Sequence, residues 1–233
     1  MKGEKAKQGG AKGLWLRWVL ANSLAETVGL GSAFAIGVTL FPYVQTPGVF
    51  VALATTGVAI LAGTLIEGTV VGTAQWLVLR HPLPGVRWRA WVLATAIGAF
   101  VAWTLGMLPG TLFSAASEPS GAAPTEASET VVYGLAALIG LLAGTVLGMP
   151  QWLVLRRHVR RAALWIPANA LAWVPGMLMA FVAADFLFSA STGVGTVVLA
   201  IATLVAIGTM VGAIHGLALV WLTRHTYGGR ITA

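Results

Sequence analysis

The stretch GTVVGTAQWLVLRH, residues 68–81, returns as GTVLGMPQWLVLRRH at residues 144–158. Both copies place glycines four apart and then a glutamine, and both leave an apolar run through Trp, Leu and Val to Arg and His. A membrane helix exits lipid in this way, with tryptophan at the interface and arginine in water. A weaker third copy runs Gly208-Thr209-Met-Val-Gly212-Ala-Ile-His215 and closes at Arg224-His225. Self-similarity at a fixed period marks a chain built from copies of one supersecondary unit.

Upstream of each copy stands a second recurring segment. It reads Trp18-Val-Leu-Ala-Asn22, then Trp91-Val-Leu-Ala-Thr95, then Trp165-Ile-Pro-Ala-Asn169. The unit is therefore an out-and-back helical hairpin, and the hairpins span residues 14–80, 88–156 and 162–224. The predicted fold class is an all-α integral membrane protein. Its six transmembrane helices form three parallel helical-hairpin repeats with pseudo-threefold symmetry about the membrane normal. The apolar runs are Leu14–Phe41, Gly48–Leu79, Trp88–Phe113, Val131–Leu155, Ala162–Ser189 and Gly193–Thr223, each long enough to cross a bilayer. Residues 1–13 read as a disordered basic tail, 114–130 as a mobile polar loop and 225–233 as a second tail.

Composition agrees: 58% of the 233 residues are hydrophobic and 9% charged, far from soluble usage. With no cysteine, a disulfide framework, a thiolate metal site and a cysteine nucleophile are excluded. The net charge of +7 has a topological cause. The 14 Lys and Arg all fall on one side: before or at the start of span one, between spans two and three or at the start of three, between four and five, or after six. The positive-inside rule then makes both termini cytoplasmic, in the cytoplasmic (inner) membrane, without invoking nucleic acid. Trp15, Trp18, Trp76, Trp88, Trp91, Trp152, Trp165 and Trp221 gather at the same ends and read as an interfacial belt.

Polar residues inside the spans are the candidates for function. Asn22, Thr95 and Asn169 on the odd spans, with Gln75, Gln151 and His215 on the even ones, lie at similar depth. Gln75 and Asn22 each sit about 7.5 Å inside a charged end. Such a layer is either hydrogen-bonded packing between helices or a ligand or permeation layer. Glu26 lies about 13 Å past Arg17 on the face carrying Trp18, Asn22 and Gly29. The other copies put Ala99 and Trp173 at its position, so the repeat does not require a carboxylate. Glu67 lies deeper, with no Lys or Arg at its level. Each acid is either a neutral hydrogen-bonding partner or a proton- or cation-handling group. Asp185 falls at the outer interface. His215 has no second ligand at metal spacing on its helix, so hydrogen bonding is the simpler reading and no metal is expected.

At the basic ends, Arg80, His81, Arg156, Arg157, His158, Arg224 and His225 are candidates for anionic lipid contact. No phosphate loop, nucleophile elbow or metalloprotease helix is present, so neither an enzyme nor a cofactor is expected. The repeated QWLVLR segments resemble those of a widespread group of uncharacterised bacterial multi-pass membrane proteins, a resemblance that implies no activity. Three hairpins also resemble mitochondrial carriers in architecture, but the carriers' Pro-x-Asp/Glu-x-x-Lys/Arg signature is absent. The expected function is handling of a small solute or ion through the bundle. The alternatives are an accessory or assembly subunit of a larger membrane complex and a pigment or lipid binder. Membrane lipids, a homo-oligomer or a larger complex are the partners in view.

Overall fold

The computed structural model describes residues 2–44, 48–116, 128–189 and 193–227. Among them all regular structure is helical: α1 Lys2–Val44, α2 Val49–Leu79, α3 Trp88–Ala116, α4 Glu129–Leu155, α5 Trp165–Ser189 and α6 Val194–Tyr227, with a 3-10 turn at Ala162–Leu164 before α5. Helices α2 to α6 are each long and apolar enough to cross a membrane. Each helix packs on its neighbours in sequence, and α6 returns onto α1, which closes a ring.

The apolar runs become helices because lipid offers the backbone no partner, so each segment must satisfy its own amides. The boundaries follow the sequence reading within a few residues except at the start. There α1 already begins at Lys2, within the stretch read as a disordered tail. Lysine, alanine, glutamate and glutamine are good helix formers, and continuity with the apolar span supplies the nucleus they need. The expected mobile loop is shortened from both sides, to Ala116 and Glu129, and residues 117–127 lie outside the described ones. Of the expected C-terminal tail, His225 to Tyr227 belong to α6, and 228–233 lie outside the described residues.

Two apolar clusters fill the ring. At the Arg-rich end Leu79, Leu83, Val86, Leu155, Val159, Ala162, Leu219 and Leu222 pack around Trp18, Trp91 and Trp165. The second cluster gathers Ala99, Leu147, Ala172, Trp173, Ile207 and Val211. The α2–α3 connection joins the first cluster: Trp76 Nε1 donates to the Val86 carbonyl at 2.9 Å, and Gly85 abuts the His158 ring. Arg161, φ 59°, is the only non-glycine residue in the left-handed region among the described ones, and it turns the chain into α5.

Glycines set how closely the helices approach. A Cβ on Gly68 would lie 2.6 Å from Ala96 Cα, on Gly144 2.7 Å from Ala170 Cα, and on Gly208 2.8 Å from Ser23 Cα. One turn on, Gly72 faces Val92, Gly148 faces Ile166 and Gly212 faces Val19. These contacts lie on the α2–α3, α4–α5 and α6–α1 seams. In lipid, where no hydrophobic effect drives helices together, backbone approach of this kind supplies much of the association.

Candidate functional site

Trp18, Trp91 and Trp165 are 0% exposed, which corrects their reading as part of an interfacial belt. They face inward, and their rings meet edge-on: Trp18 to Trp165 at 5.9 Å and Trp91 to Trp165 at 6.2 Å between centroids. A buried indole needs an acceptor for its N–H. Trp91 donates to Gln75 Oε1 at 3.2 Å, Trp165 to Gln151 Oε1 at 2.9 Å and Trp18 to His215 Nδ1 at 2.7 Å. Each tryptophan thus bonds the even helix next to it across the glycine seam, not the helix of its own hairpin.

The rest of the polar layer knits onto these bonds. Gln75 Nε2 donates to Asn22 Oδ1 at 2.9 Å; Gln151 Nε2 donates to Thr95 Oγ1 and to Gln75 Oε1, both at 3.1 Å. Asn22, Thr95 and Asn169 each donate to the carbonyl of the tryptophan four residues earlier. Trp165 and His215 close the α5–α6 seam with ring centroids 5.5 Å apart. The structure therefore buries all six residues of the layer, and together with the three tryptophans they link all six helices. With Leu79, Leu155 and Leu219 below them, they stopper the Arg-rich end.

Glu26 and Glu67 lie on the other side of this layer, 3% and 6% exposed. Glu26 carries its Cβ beside Gly208 of α6, and Gly29, three residues on along α1, meets Glu67 of α2. Gly29 leaves room for Glu67, whose Cα would lie 3.3 Å from a Cβ there. Glu67 Oε2 accepts the Trp103 Nε1 proton at 2.7 Å, and the Trp103 ring lies across Gly63. Among the described residues, the buried side-chain polar atoms without a hydrogen-bond partner are Glu26 Oε2 and Thr64 Oγ1.

Trp103 and Thr64 were missed by the sequence reading. A signal existed for Trp103: a tryptophan far from both ends of its span needs a polar partner, and Glu67 is the acceptor α2 offers. Thr64 carries no comparable sign. Among the described residues no group of three His, Cys, Asp or Glu could hold a metal ion. His215 turns Nδ1 to Trp18, so that lone pair is already used. Asp185 is exposed near the end of α5.

The basic candidates divide. Arg80 stacks over Trp76 and Arg156 over Trp152, each at 5.3 Å, and Arg161 over Trp221 at 5.7 Å. Arg157 and Arg224 are exposed, as is His81, whose Nδ1 lies 3.1 Å from the Leu77 carbonyl. His158 packs on Gly85 instead, and His225 lies in the last turn of α6.

Fold and site together describe a ring of membrane-type helices, tied at one end by a polar layer and holding a pair of buried acids. No known family model, curated protein or solved structure matches the chain.

Proposed function

We propose that this chain is a non-enzymatic multi-pass protein of the cytoplasmic membrane that handles a small ion at Glu26 and Glu67. One observation carries the reading: Glu26 Oε2 is buried without a hydrogen-bond partner. A central acid opposes membrane insertion by about 2.5 to 3.5 kcal/mol, and such residues mark ion pathways. The packing does not call for it, since Ala99 and Trp173 occupy the matching positions of the other hairpins.

The architecture in this reading is six spans in three parallel hairpin repeats. It is supported by the glycine contacts and the indole bonds, each made three times at matching positions. The Asn, Thr, Gln and His layer holds the helices together, and the Arg-rich end faces the cytoplasm, where Arg80 and Arg156 meet anionic lipid.

Reconstitution into vesicles with reporters for protons, sodium and potassium tests the function. Wild-type protein should pass one of these ions, and Glu26→Gln should abolish the flux while insertion and thermal stability persist. A wild-type protein that passes none of them, and is recovered stoichiometrically with a larger membrane complex, is an accessory subunit instead.

A further inference from the structure

Thr64, Glu67 and Glu26 follow one another in that order along the bundle towards the Arg-rich end. α1 and α2 run antiparallel, and the Asn22–Gln75 bond and the Gly29–Glu67 contact fix their register. Glu26 falls between these two rungs. Thr64 stands three residues before Glu67 on the same face of α2, about 4.5 Å farther from the Arg-rich end. Its free hydroxyl is a separate sign. Thr27, Thr95, Thr104, Thr111 and Thr145 each donate to the carbonyl four residues back, a bond open to any helical threonine. Thr64 makes no such bond, although it is buried.

The charges around the line leave the two acids to each other. Arg17 of α1, Arg89 of α3 and Arg224 of α6 are exposed at the Arg-rich end. Within the bundle α3 offers the Trp103 indole, and α6 offers Gly208 and, in the polar layer, His215 with its Nδ1 bonded to Trp18. Two adjacent carboxylates away from water and without a cation cost far more than one, so something positive stays with them. An alkali cation needs many oxygens, usually carbonyls freed where a helix is broken. Here α1 and α2 pass the acids unbroken, and three side chains supply the oxygens.

We propose that Glu26 and Glu67 share one exchangeable proton, relayed past Thr64 from the end of the bundle opposite the Arg-rich loops. This rests on the ion-handling reading and assigns its ion. Hydronium gives its proton to the carboxylate and leaves as water; release is the reverse, and no other bond changes. Towards the Arg-rich end, Trp18, Trp91 and Trp165 above Leu79, Leu155 and Leu219 close the route.

Infrared titration of the full chain in lipid nanodiscs tests the assignment. The wild type should show a carboxylic-acid C=O band that titrates as one proton per chain and is unchanged by saturating sodium at fixed pH. Glu26→Gln or Glu67→Gln should remove the titration, Thr64→Val should shift the band, and Glu129→Gln, at an exposed site, should leave it unaltered. Absence of a titrating band that either glutamine substitution removes overturns the proposal, as does a band erased by sodium. Vesicle flux separates the two readings. A titrating band without flux keeps the proton site and overturns ion transport; sodium flux with a sodium-erased band keeps transport and overturns the proton.

Discussion

At position 215 a histidine does what glutamine does at 75 and 151, which makes it the sharpest single-residue test of the third copy. Trp18 donates to His215 Nδ1, so the ring is neutral with its proton on Nε2. A glutamine there offers Oε1 to the same indole. His215→Gln is therefore expected to change stability by less than about 1 kcal/mol, whereas His215→Leu strands a buried N–H and costs about 1–3 kcal/mol. Thermal unfolding in detergent reads both; equal losses would show that the site is not interchangeable with Gln75 and Gln151. The layer's members were legible in the sequence because polar residues stand out against lipid and recur at one offset. Their indole partners were not. A tryptophan near a helix end satisfies a belt and a core equally well on one sequence, and only its sharing a face with Asn22 hinted at the core.

Seams between helices carry their own contrast. Gly144 touches the backbone of α5 at Asn169 and Ala170, so a methyl group there pushes two helices apart. Gly57 has open space around its Cβ position. Gly144→Ala should destabilise by about 1–3 kcal/mol through overpacking. Gly57→Ala should be neutral or raise stability by up to about 1 kcal/mol, since alanine is the better helix former. Melting temperatures of the two variants, measured side by side, decide it, and matched effects would remove close approach as the cause. The four-residue glycine spacing was readable from the chain. Which seam it serves was not, because both flanks of each even helix carry a neighbour and the choice depends on how the ring closes.

For the molecule as a whole, sidedness is the open measurement, and the cysteine-free chain suits it. Ser128, before α4, and Arg160, after it, are exposed at opposite ends of the bundle. A cysteine at Ser128 should react with an impermeant thiol reagent on intact cells, and one at Arg160 only after permeabilisation. The reverse pattern would overturn the proposed orientation, with the Arg-rich end in the cytoplasm. The ring's closure also has a consequence in time. Trp18 and His215 are 197 positions apart, and the α1–α6 seam joins helices far apart in sequence. During synthesis α1 is made with its indole unmatched and its Val19–Ser23 flank uncovered, and it stays so until α6 follows. Every nascent length short of α6 is an unfinished circle with that one edge open.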